Sequence, residues 1–122
     1  MNDKRKVYVV AKGLHDWTLA AEYGEVVFLS TVPISRVAVS TMARLFAPQL
    51  QKSSPDDYLL ITGLSVMCSI ACSLFVLKHR RLNLLLFDAA SEKYVKRTVV
   101  LDDIMNLEQV EQEISEATRP LA

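Results

Sequence analysis

The order of strand-like and helix-like stretches predicts an α/β layered domain: a mainly parallel sheet of about five strands, an antiparallel C-terminal hairpin at its edge, and flanking helices. Three observations carry that reading. Residues 6–11 and 25–30 are β-branched and nearly all apolar, as strands buried on both faces are. Residues 58–77 carry no charge and are broken by a glycine, the pattern of a buried strand, a tight turn and a buried helix. Residues 82–87 and 94–101 are strand-like and separated only by 88–92, a connection short enough to make them antiparallel neighbours.

The first strand, Lys-Val-Tyr-Val-Val-Ala over 6–11, runs into a turn at 12–15. Asp16 is placed to cap a short helix over 17–23, with Gly24 as its stop. After the second strand and a loop at 31–34, Ser35 is placed to cap a helix running to about Ala47. Its Val39, Met42 and Phe46 fall at helical spacing and give one core face. Pro48 is expected to end or kink it, because proline lacks an amide and clashes with the preceding turn. The turn-rich residues 53–56 lead to a third strand over 58–62. Ser65 is then placed to cap a helix reaching about Lys78, apolar nearly all round and so expected against the sheet centre. After the hairpin, Asp102 or Asp103 caps a last helix with a narrow stripe of Ile104, Leu107, Val110 or Glu111, and Ile114. The whole chain, 1–122, is expected to form one domain, with 1–5 and 118–122 flexible.

The uncharged stretch has a rival reading. Its 20 residues could cross a bilayer, and Lys78, His79, Arg80 and Arg81 follow it as the positive-inside rule would require. Ser65, Ser69 and Ser73, spaced at four, make one helix stripe too polar for lipid, and the neighbouring strands need a covering helix. The strand–turn–helix reading is therefore preferred, and no membrane association is expected.

Formal net charge is zero, which argues against a nucleic-acid binder, since such affinity rests on accumulated basic charge. Zero net charge also weakens mutual repulsion, and a homodimer is expected. The only cysteines, Cys68 and Cys72, lie one helical turn apart and make no disulfide framework; with a charged, strand-like N-terminus, this points to the cytoplasm. Two thiolates alone do not complete a tetrahedral zinc site, so they are read as buried structural thiols and no metal is implied.

In open α/β sheets, ligands bind outside the carboxyl ends of the strands, where loops lead into helix N-termini. Three such loops are expected to share one edge. They carry Lys12, Gly13, His15, Asp16 and Trp17; then Ser30, Thr31, Ser35 and Arg36; then Thr62, Gly63 and Ser65. Free helix amides, small hydroxyls and cations suit an anionic small molecule such as a phosphate, with Trp17 available to stack on a base. The candidate ligand-binding residues are Lys12, Gly13, His15, Trp17, Arg36, Thr62, Gly63 and Ser65. The bland alternative is that Asp16, Ser35 and Ser65 only cap their helices while Trp17 packs in the core. No G-x-G-x-x-G or P-loop pattern occurs, so no cofactor is implied.

No catalytic residue is assigned. Ser65 sits where a nucleophile elbow would, with His15 or His79 as base and Asp16 or Asp88 to orient it, but the run lacks the second glycine of that turn. His15 and His79 are read as ordinary surface or turn histidines, and Lys78–Arg81 as a solvated complement to the helix C-terminus. The acidic C-terminal helix either packs its stripe on the sheet or docks on a symmetry mate or a basic host surface.

Residues 24–29 (Gly-Glu-Val-Val-Phe-Leu), 53–58 (Ser-Ser-Pro-Asp-Asp-Tyr), 70–72 (Ile-Ala-Cys), and Lys78-His79 followed by 81–85 (Arg-Leu-Asn-Leu-Leu) carry a resemblance. The chain resembles, over about residues 6–103, small uncharacterised α/β proteins encoded by bacteriophages. That resemblance implies a phage accessory protein in the host cytoplasm and brings no active site with it. Two functions follow as expectations: capture of a phosphorylated small molecule at the loop edge, or occupation of a host protein through the acidic helix or the strand at 94–101.

Overall fold

A computed structural model describes residues 4–13, 16–104 and 107–118, without the side chains of 107–110. Along the chain come β1 (Lys6–Val9), α1 (Thr18–Ala21), β2 (Glu25–Phe28), α2 (Val39–Leu50), β3 (Tyr58–Leu60), α3 (Ser65–His79), β4 (Arg81–Asp88), β5 (Lys93–Val100), α4 (Leu101–Ile104) and α5 (Leu107–Ala117). The five strands form one sheet in the order β2-β1-β3-β4-β5. The first four are parallel and β5 returns antiparallel to β4, as the short connection requires. This is the α/β layered architecture with a hairpin edge that the sequence predicts.

Alternation along the strands divides the core into two layers. Tyr8, Val10 and Leu59 face α2 and α3, meeting Met42, Phe46 and Leu50 on one helix and Met67, Cys68, Ala71 and Phe75 on the other. The intervening residues Val7, Val9, Tyr58, Leu60 and Leu85 face the opposite side, where among the described residues Ala20 of α1 and the partly buried Trp17, Tyr23, Val26, Phe28 and Tyr94 pack with them. One layer is thus two long helices deep, while α1 is four residues long and leaves part of the second face open.

The uncharged stretch splits into β3, a turn and α3, and among the described residues no helix is long and apolar enough to cross a membrane. Two apposed groups fix the start of the sheet. Asp57 is buried; one carboxylate oxygen accepts the Lys6 amide at 2.9 Å and the other accepts the Ser54 amide at 2.8 Å, clamping β1 to the turn before β3. Gly24 lies at φ +156°, where an added Cβ would meet the Arg5 carbonyl oxygen at 2.4 Å. That close approach lets the Glu25 amide bond the same carbonyl at 2.9 Å and start the β1–β2 ladder.

Several boundaries differ from expectation. Helix α2 begins at Val39 rather than after Ser35, whose Oγ instead accepts the Val37 amide in the preceding turn. Val39 is 46% exposed, and the third member of the buried face is Leu50. Pro48 does not end α2, which runs to Leu50. The missing amide falls in the last turn, and the Gln49 side chain donates to the Leu45 carbonyl at 3.0 Å there. Leu101 opens α4 instead of closing β5. Asp102 pairs with Arg80 at 2.7 Å. The stripe of the last helix does not lie on the sheet where it is described: Ile104 is 42% and Ile114 57% exposed, and every residue from 111 to 118 is exposed. Of the ends expected to be flexible, 1–3 and 119–122 lie outside the described residues, as does His15.

Candidate functional site

The path from β1 to β2 steps one way along the sheet, and the path from β2 to β3 crosses back over β1. The carboxyl ends of β1 and β3 therefore flank the topological switch point, where open α/β sheets place their ligands. Beside it lies a cavity of about 110 Å³ lined by Arg36 from the β2–α2 loop, Gly63 and Leu64 from the turn after β3, and Ser65, Val66 and Met67 from the first turn of α3.

Of the eight candidate residues, the structure brings Arg36, Gly63 and Ser65 together in this cavity. Thr62 stands just behind them: its Oγ1 accepts the Leu64 amide at 3.1 Å, and its amide faces the Cys68 sulfur at 3.5 Å. Ser65 does not cap α3 as expected. The N-cap position belongs to Leu64, no side chain caps the helix, and the Ser65 amide turns back to the Gly63 carbonyl at 3.0 Å. Thr62 serves the Leu64 amide and Leu64 receives the Cys68 amide, so the Val66 and Met67 amides are the first-turn donors with no acceptor among the described residues. They border the cavity, at the positive end of a 15-residue helix with no acidic side chain in its first turn.

Lys12 and Gly13 do not line this cavity. Gly13 takes a left-handed φ of 56°, and the Lys12 carbonyl accepts the Trp17 indole N–H at 3.0 Å. Trp17 packs edge-on against Phe28, ring centroids 5.9 Å apart, on the second face of the sheet. Asp16 does not fill the N-cap of α1 as expected, since that position belongs to Trp17 with no side-chain cap bond. Asp16 instead accepts the Thr18 hydroxyl at 2.5 Å and the Thr18 amide at 2.9 Å, and these two bonds hold its carboxyl below the ordinary range. Sequence reasoning missed Leu64, Val66 and Met67. The signal was present, since an apolar run straight after Gly63 leaves helix amides without a capping side chain, but Ser65 drew the capping role to itself.

The serine-hydrolase arrangement is not formed with His79. Ser65 and His79 stand at opposite ends of α3, about 20 Å apart at 1.5 Å per residue. His79 is half-buried at the end of α3; its ring lies 4.5 Å from that of Phe75, and Nε2 is 2.8 Å from Ser53 Oγ. Ser53 spends its hydroxyl proton on the Leu50 carbonyl at 2.5 Å, so Nε2–H donates to the serine, the reverse of general-base activation. Burial and the neighbouring Lys78 lower the pKa of His79, with Asp57 pulling weakly the other way. Asp88 is taken up in the hairpin turn, accepting the Ser91 hydroxyl at 2.9 Å and the Ala90 amide at 3.2 Å. Cys68 is buried, and burial followed by the proximity of Cys68 pushes the Cys72 thiol up to about 11, away from thiolate chemistry.

A family model described as Phage Pam3 gp32-like protein matches residues 5–101. No curated protein and no solved structure matches the chain. The match covers about four fifths of the sequence, including the entire sheet and the cavity beside α3, and the chain belongs to that phage family.

Proposed function

We propose that this member of the Phage Pam3 gp32-like protein family captures a phosphorylated small molecule at the carboxyl edge of its sheet and does not transform it. The observation that carries the reading is the cavity in which Arg36 meets the uncapped N-terminus of α3. A phosphate there would accept from the Arg36 guanidinium and from the Val66 and Met67 amides, at the positive end of the helix dipole. Gly63 keeps one wall low, since a Cβ there would meet nothing within 4 Å. A charge-assisted hydrogen bond contributes about 1.5–3 kcal/mol, so Arg36→Ala should weaken capture by roughly tenfold or more. Isothermal titration calorimetry with pyrophosphate tests this: unchanged affinity in Arg36→Ala would reject the loop-edge site.

A second reading rests on α5. Its residues 111–117 are all exposed, and Ile114 stands there among Glu111, Glu113 and Glu116. Under this reading the helix occupies a basic surface on a host protein or on the second subunit of a homodimer in the host cytoplasm. Ile114→Asp should then abolish the association seen by light scattering or co-purification and leave pyrophosphate binding intact. Persistence of the association in that variant would reject α5 as the contact.

A further inference from the structure

The second face of the sheet opens at the amino ends of its parallel strands, away from the cavity beside α3. Two adjoining hollows lie there, about 180 Å³ and about 430 Å³, sharing Arg5, Tyr58 and Lys96. Arg81 and Thr98 line the first, and Tyr23 and Glu22 the second. The register explains the convergence. Arg81 and Asn83 point to the same face of β4, Thr98 pairs with Asn83, and Lys96 pairs with Leu85, one step further along. Asn83 is committed to the framework, donating to the Pro55 carbonyl at 2.6 Å and the Asp57 carbonyl at 2.9 Å while accepting the Thr98 hydroxyl at 3.2 Å.

Three cations from three parts of the chain thus border one groove. The Lys96 ammonium stands 5.9 Å from the centroid of the Tyr23 ring, which meets Tyr58 edge-on at 6.1 Å. Arg81 Nε is buried and has no hydrogen-bond partner among the described residues, so the present placement of that guanidinium leaves a donor unsatisfied there. An oxyanion in the groove would draw the fork of Arg81 toward it and relieve that donor. The two carboxylates at the rim, Asp56 and Glu22, are suited to accept hydroxyl protons from the body of the same ligand.

We propose that this groove binds a sugar phosphate, with the phosphate between Arg5 and Arg81 and the hydroxylated body along Tyr23 and Lys96. The site is independent of the pocket at Arg36, and every residue in it falls within the family match. Ribose 5-phosphate, ribose and inorganic phosphate are the probes, followed by ligand-observed NMR and calorimetry on the full chain. The expected result is saturable binding of ribose 5-phosphate, stronger than that of inorganic phosphate, with ribose not binding. Measured in the Arg36→Ala protein, where the pocket beside α3 no longer contributes, Arg81→Gln and Lys96→Gln should each weaken it about tenfold or more. Lys96 is exposed, so its variant tests the site even if Arg81→Gln fails to fold. Loss only in Arg36→Ala would assign the ligand to the other pocket and overturn the proposal. So would equal affinity in Lys96→Gln, absence of binding, or a groove that takes a peptide of residues 107–117 in place of the sugar phosphate.

Discussion

Asp57 is the side chain whose loss should cost the fold most for the fewest atoms. It is 2% exposed, and its two carboxylate oxygens take the Lys6 and Ser54 amides at 2.9 and 2.8 Å. Asp57→Ala leaves both donors without an acceptor at the point where β1 and β3 begin. Hydrogen bonds to a charged group contribute about 1.5–3 kcal/mol each; because Lys6 and Ser54 keep some access to water, the pair is expected to cost about 3–5 kcal/mol. Set against a total stability of about 5–15 kcal/mol, that is a large fraction. Asp57→Asn should recover less than half of it, because one accepting oxygen becomes an amide that faces another N–H. Urea unfolding followed by circular dichroism reads the effect as a lower midpoint at unchanged slope. A loss below about 1 kcal/mol in Asp57→Ala would refute the clamp, since it would mean that water replaces the carboxylate at little cost.

Phe75, fully buried between α3 and the sheet, should cost about 3–5 kcal/mol when replaced by alanine, read from the same urea transitions. His79 holds its proton less tightly folded than unfolded, so its contribution is complete above the ordinary value of 6.5 and is lost as the pH falls below it; a thermal-melt series should show that acid slope flattened in His79→Gln. Gly24→Ala should destabilise strongly, since its Cβ would fall 2.4 Å from the Arg5 carbonyl oxygen, whereas Gly63→Ala should melt within a degree or two of the parent.

Much of the fold was legible because local and tertiary signals agree. The β-branched runs around Val7 and Val26 became parallel strands, and the short link between Phe87 and Tyr94 became a hairpin. Strand order was not legible, because β1 lies between β2 and β3 only through contacts far apart in sequence. The start of α3 at Ser65 was legible, whereas α2 begins behind Ala38 rather than Ser35, and neither serine fills the N-cap its capping chemistry offers. Of the loop edge, the meeting of Arg36, Gly63 and Ser65 was foreseen, while Trp17 turned to Phe28 because α1 needs an anchor on a thinly covered face. The groove at Arg81 and Lys96 was hidden by register. Polar residues alternating in 81–83 and 96–98 were its signal, but they share a face only once β4 and β5 are paired.

Native mass spectrometry of the protein taken directly from cells tests capture at the carboxyl edge most directly. The account predicts a co-purifying mass of a few hundred daltons that is lost in Arg36→Ala and retained in Ile114→Asp. A parent protein that arrives bare, or a bound mass that survives Arg36→Ala even when Lys96→Gln has weakened the groove at the amino ends of the strands, would contradict it.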